Sequence, residues 1–174
     1  MKRLDELKWH EFFLTDVFSL NATKSSIDRC KLNGISGNIP YITRTDTNNG
    51  WDGLVGKQYD YQNDEGNVIT IGLDTQSVFY QPIPFYTGQN IQILSSPKLN
   101  KYVACSIVPL LKIQLKKFNW GGNGATLGRL KRLRILSQNM MYILFIDILT
   151  HINGLQVTTN LRNVLNIMVG NKGQ

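Results

Sequence analysis

Apolar and polar residues alternate along the first half of the chain, and a helical spacing sets in only after residue 99. Trp9, Phe12, Phe13, Val17 and Phe18 form an apolar set that predicts a strand followed by a short turn of helix. Thr15 or Asp16 can cap that turn, because their side-chain oxygens accept unpaired amide hydrogens. Asn33–Asn38 carries turn chemistry, and Ile39–Thr45 after it alternates like a strand. Thr47–Asn48–Asn49–Gly50 is the sharpest turn signal in the chain, since Asn and Gly tolerate positive φ. A further turn at Asn63–Gly66 leads into the β-branched stretch Asn67–Ile71, which predicts a buried strand, with Ser77–Tyr80 returning beside it. Pro82 and Pro84 interrupt regular pairing, so 81–86 reads as an edge or a loop. Asn90–Leu94 alternates cleanly and predicts another strand.

From Leu99 to Phe118 the apolar positions Tyr102, Val103, Ile107, Leu110 and Ile113 predict an amphipathic helix, which Pro109 kinks or splits in two. Trp120–Gly124 reads as a loop, and Thr126–Leu136 as a strand or short helix edge. Strands first and a helix later predict an α+β domain built on a single twisted, mainly antiparallel sheet with a few helices.

Composition sharpens this picture. The chain has 174 residues, 42% of them hydrophobic, enough to bury a core, and a net charge of +7. That charge is unevenly placed. Residues 1–74 hold 8 Lys/Arg and 11 Asp/Glu, whereas residues 75–174 hold 11 Lys/Arg and Asp147 as their one acid. A basic half with almost no acids fits a polyanion, nucleic acid above all; solvated surface lysines are the plainer explanation, though those normally mix both signs. Cys30 and Cys105 lie 75 residues apart and support neither a disulfide framework nor a zinc site, which points to a reduced, cytoplasmic setting. Met1–Lys8 is charged with no apolar run behind it, so no signal peptide is expected. Met140–Leu149 is ten residues long and contains Asp147, short of the roughly 20 apolar residues a membrane span needs.

Catalytic signatures are missing. His10 and His151 have no metal-ligand companions at helical or hairpin spacing, and no P-loop, GxSxG or GxGxxG sequence occurs. Asn38–Ile39–Pro40–Tyr41 resembles the Asn-Pro-Pro-Tyr motif with which amino-methyltransferases grip a flipped base. No glycine-rich strand–turn for S-adenosylmethionine precedes it, so it reads better as a strand entrance. Neither cofactor nor metal is expected.

Six segments, in order over about residues 9–136, resemble the target-recognition domains of restriction–modification specificity subunits, of type I and of related two-subunit type II systems. They are Trp9 with Asp16–Phe18, Gly37–Thr43 with Asn48–Gly50, Gly66–Ile71 with Val78–Gln81, Asn90–Leu94 with Leu99–Asn100, Lys117–Gly121, and Leu130–Ile135. Two departures stand out. Leu136 is followed by Ser137–Gln138–Asn139 where the family usually has Leu-Pro, and Met140–Leu149 has no counterpart, which puts the family's partner-gripping helix in doubt. The resemblance implies a target-recognition domain over residues 1–136 and a separate tail over 137–174. It also implies a non-catalytic component that recognises double-stranded DNA and directs a separate methyltransferase/endonuclease subunit. Since such subunits carry two recognition domains, it implies a second specificity half or a homodimer. A non-specific nucleic-acid-binding or interaction domain, and a DNA methyltransferase fragment, remain the alternatives.

On that reading Lys112, Lys116, Lys117, Arg129, Lys131, Arg132 and Arg134, seven cations within 23 residues and no acid among them, are the candidates for phosphate contact. Arg44, Asn48, Asn49 and Gln81 lie on loops beside strands and have side chains suited to guanine or adenine edges. Arg44 alternatively pairs with Asp46 or Asp52. Trp51 and Trp120 flank glycines and can stack on base or sugar, or else pack in the core; Asn119 and Asn123 belong to the same second loop.

Overall fold

The computed structural model describes residues 10–119 and 126–137. The Met140–Leu149 segment, the tail beyond Ser137, Trp9, Trp120 and Asn123 lie outside them. In chain order the described residues form β1 (His10–Phe13), β2 (Ser19–Ala22), β3 (Ile39–Ile42), β4 (Trp51–Val55), β5 (Val68–Gly72), β6 (Val78–Gln81), β7 (Tyr86–Thr87), β8 (Ile91–Ser95), α1 (Lys101–Leu115), α2 (Leu127–Lys131) and β9 (Arg134–Ser137).

The central sheet has the order β2-β8-β5-β6, antiparallel throughout. All five residues of β5 are buried, which is what a strand covered on both faces requires. Period-two alternation sorts its side chains. Ile69 and Ile71, with Leu94 of β8, join a core with Val103, Ala104, Ile107, Leu111 and Leu115 of α1. Val68, with Ile91 and Ile93 of β8, meets Ile42 and Phe85 on the other face. That face is covered by a three-stranded sheet, β4-β3-β7, in which β3 pairs antiparallel with β4 and parallel with β7. A ribbon of β1 and β9 completes the α1 side, placing Leu130, Leu133 and Ile135 beside Leu14.

The α+β class and the mainly antiparallel pairing agree with the sequence reading, but the single sheet does not. The strands divide into three sheets, because the outer edge of β6 is covered by the β3–β4 connection rather than extended by another strand. Pro109 likewise leaves α1 continuous from Lys101 to Leu115 instead of splitting it. The carbonyl it strands, one turn earlier on Cys105, belongs to an exposed residue, where water can replace the lost bond. Asn100 caps α1, its side chain accepting from the amides of Tyr102 and Val103 at 2.9 and 3.1 Å.

Residues 23–38 contain no strand, and a buried carboxylate pins their start. Asp64 is 2% exposed. It accepts from the Lys24 amide at 2.8 Å and the Ser25 hydroxyl at 3.1 Å, while its own backbone bridges Phe85. Burial raises its pKa, against the opposing effect of those hydrogen bonds. A raised folded-state pKa means that the fold binds the proton more tightly than the unfolded chain, so stability from this group declines as pH rises from the unfolded towards the folded value. Asp64→Asn keeps the acceptor for Lys24 and should cost less than about 1 kcal/mol, whereas Asp64→Ala removes the acceptor of the part-buried Lys24 amide and of the buried Ser25 hydroxyl and should cost roughly 1–3 kcal/mol. In thermal melts the stability of Asp64→Asn relative to the unmodified chain should improve with pH across that window; a relative decline would contradict the assignment.

Candidate nucleic-acid interface

The β3–β4 connection, residues 43–50, runs along the outer edge of β6. At its start the Arg44 guanidinium is ion-paired with Asp74, and the Thr75 hydroxyl donates to the Arg44 carbonyl at 2.6 Å. Asn90 also donates to Asp74, and this bond, with Arg44, lowers the pKa of the Asp74 carboxyl. Arg44 therefore has an acid partner, but it is Asp74, not Asp46 or Asp52. Asp52 is engaged at 2.7 Å by Arg29.

At its end the connection makes one turn, Asn48–Gly50, in which all three residues have positive φ, at 48°, 54° and 77°. Asn and Gly are the residues that enter this region at low cost, which is why the Asn-Asn-Gly sequence signals the turn. Gly50 is also needed for space: a β-carbon there would meet Ile42 and Phe79 side-chain atoms at 3.2 and 3.3 Å.

Gln81 holds this turn from below. It is 1% exposed. Its amide nitrogen donates to the Asn49 carbonyl at 3.0 Å and the Thr70 hydroxyl at 3.2 Å. Its oxygen accepts from the Trp51 indole at 3.2 Å and the Asn49 side-chain amide at 3.3 Å. The sequence reading of Gln81 as a base-edge contact is thus corrected: it is buried with both ends of its amide bonded. Asn49 also donates to the Tyr80 carbonyl at 3.2 Å, so its amide anchors the turn. Asn48 is exposed and donates to the Trp51 carbonyl at 3.2 Å. Trp51 is half-buried, its indole fixed by Gln81 and its ring packed on the Ile42–Phe85 cluster.

The basic segment begins on the other side of Phe79. The Lys112 ammonium sits 4.5 Å from the Phe79 ring centroid, the same ring that closes over Gly50. Lys116 follows one helical turn later and is exposed. Lys117 donates to Gln114 at 2.6 Å. Beyond it a groove of about 380 Å³ is lined by Glu11, Gln114, Lys117, Phe118, Arg129, Arg132, Leu133 and Arg134. Arg129 lies 6.0 Å from the Phe118 ring centroid, Arg132 donates to the Gly128 carbonyl at 3.2 Å, and Arg134 stacks on Phe13 and pairs with Glu11 at 3.1 Å. Lys131 is exposed outside the groove, and Asn119 ends the helical turn that follows α1. Of the seven cations named from the sequence, Lys117, Arg129, Arg132 and Arg134 line the groove and Lys112, Lys116 and Lys131 do not; Phe118, Gln114 and Glu11, not named among the site candidates, line it too.

The ion pairs explain where charge remains. Among the described residues, Lys24–Glu65, Arg29–Asp52, Lys31–Asp28 and Arg44–Asp74 lie wholly within the acidic first half, and Arg134–Glu11 alone crosses to the second. Four of these five pairs thus lie within the first half. Tyr41, from the methyltransferase-like tetrapeptide, is buried and donates to the Ile27 carbonyl at 2.6 Å, with burial foremost in raising its pKa. It is a core tie between β3 and the 23–38 segment. Among the described residues no group of three or more His, Cys, Asp or Glu could hold a metal ion, and no helix is long and apolar enough to cross a membrane.

Three sheets, one long helix, a cationic groove and an edge-covering turn define an α+β domain, and comparison with known proteins places it in a family. The family described as type I restriction modification DNA specificity domain matches residues 6–137, and the chain belongs to that family. It is 30% identical over 132 residues to the specificity subunit S.BcgI of a type II restriction enzyme from Heyndrickxia coagulans, covering 75% of this chain and 38% of that protein. Its fold is similar to the type I S subunit of M. genitalium, with a TM-score of 0.59 at 15% identity, over 87% of this chain and 40% of the other. It is also similar to the HsdS subunit of Thermoanaerobacter tengcongensis, with a TM-score of 0.53 at 13% identity, over 94% and 40%. The chain spans about two-fifths of the length of these relatives.

Proposed function

We propose that this chain is a non-catalytic recognition domain that binds double-stranded DNA sequence-specifically and directs separate methyltransferase and restriction subunits to their site. The observation that carries the reading is the uneven charge: residues 75–174 hold 11 Lys/Arg against Asp147 alone, and the basic Lys112–Arg134 stretch begins across Phe79 from an exposed turn. In this reading that stretch contacts phosphates, which supplies affinity, while residues 44–51 face base edges, which supplies specificity. Asn48 is the most accessible candidate reader; Arg44, half-exposed, can offer guanidinium N–H groups not used by Asp74. In this reading residues 1–136 form the recognition domain. A match to two-fifths of longer specificity subunits supports one recognition half, with the other supplied by the rest of a longer chain or by a second copy. The cytoplasm is the compartment that fits two exposed, unpaired cysteines.

Selection of the full chain against a randomised duplex library tests the function. A short asymmetric consensus is expected, with no methyl transfer or cleavage when S-adenosylmethionine and magnesium are added. Binding without a consensus would leave a non-specific nucleic-acid-binding domain, and methyl transfer by the chain alone would make it an enzyme fragment.

Salt dependence tests the phosphate surface separately. The slope of log K against log[salt] is roughly −0.9 per phosphate neutralised on double-stranded DNA. Replacing Lys116 and Lys117 together with alanine should weaken binding to all sequences alike and flatten the slope by about one to two units. An unchanged slope would remove both lysines from the phosphate-facing surface.

A further inference from the structure

Gln81 belongs to neither charged nor exposed surface, yet it joins the parts on which base readout depends. It ends β6, the edge strand of the central sheet, and its side chain leaves that sheet to reach the turn between β3 and β4. Three consecutive residues in the left-handed region are held there. Even for Asn and Gly such a run has competing conformations of similar energy, so a single conformation needs bonds from outside the turn. Gln81 supplies them from both ends of one amide: the nitrogen fixes the Asn49 carbonyl, and the oxygen fixes the Asn49 and Trp51 N–H groups. The hydroxyl of Thr70, buried on β5 and itself donating to the Phe79 carbonyl, orients the amide by accepting its second N–H. Asn48, immediately before these anchored residues, stays exposed, with its side-chain amide donating to the Trp51 carbonyl.

We infer that Gln81 is a specificity-determining positioning residue, which sets the direction of the Asn48–Trp51 turn without itself touching DNA. The inference rests on the proposed readout by this turn. It differs from a purely structural role, since a core glutamine would change stability and leave the order of preferred sequences intact. A positioning residue changes which bases are preferred.

The test uses the full chain with Gln81→Met, which keeps the length of the side chain and removes its four bonds, and with Thr70→Val, which removes only the orienting hydroxyl. Each is profiled against the randomised duplex library beside the unmodified chain and Asn48→Ala. Exchange of the Trp51 indole N–H, followed by NMR, reports the clamp independently of DNA. Gln81→Met should speed that exchange and lower discrimination roughly five- to a hundredfold, the range of one good base contact, at the same site positions that Asn48→Ala affects. Thr70→Val should give a weaker form of the same change, and it keeps the question open to test if Gln81→Met does not fold. Faster indole exchange with an unaltered preference profile would overturn the inference while leaving the proposed function standing. A preference lost at positions insensitive to Asn48→Ala would also overturn it. If the unmodified chain selects no consensus, the functional reading fails and the inference falls with it.

Discussion

The outer edge of β6 is the constraint on which the candidate interface depends. An edge strand presents a row of unpaired backbone groups and must be covered, charged or kept short. Here it is only four residues long and is covered by the β3–β4 connection, fastened at one end by Arg44 to Asp74 and Thr75 and at the other by Asn49 to Tyr80 and Gln81. That arrangement ties the small sheet to the central one. It also decides where Asn48 and Trp51 stand, because a connection lying along a strand has little freedom left. Phe79 then links this cover to α1, touching the space above Gly50 on one side and the Lys112 ammonium on the other.

Electrostatics follows from the same packing. Four acids of the first half, Asp28, Asp52, Glu65 and Asp74, are engaged in short-range pairs with cations of that half. The C-terminal end of α1, α2 and β9 carry a cluster of cations, with Glu11 paired to Arg134, and charges beyond about 8 Å are largely screened at physiological ionic strength. The aromatic rings of Phe13, Phe79 and Phe118 lie beneath three of those cations, Arg134, Lys112 and Arg129.

Much of the fold was legible in the sequence, because burial and period coincide. Val68–Ile71 is β-branched and lies between two covered faces; Asn48–Gly50 needs positive φ and has the residues that allow it; Asn100 precedes a helical spacing and caps it. The division into three sheets was not legible, since alternation reports that a strand has an inner face and not which strand it pairs with. The site was half legible. A run of cations is visible in any sequence, but which of them share one groove, here Lys117, Arg129, Arg132 and Arg134, is decided by the fold. Gln81 could not: a glutamine looks the same whether its amide faces a groove or closes four internal bonds, and only the β6–turn contact, 30 to 32 residues apart in sequence, separates the two.

The central claim is that the 43–51 connection and the Lys112–Arg134 surface form one DNA-facing surface. Amide hydrogen exchange of the full chain, with and without a duplex carrying its selected site, tests that most directly. Slowed exchange in both 43–51 and 112–134 together, with random-sequence duplex slowing the second region alone, is the result this account predicts. Slowed exchange confined to residues 24–34 and 57–61, with both proposed regions unchanged, would contradict it.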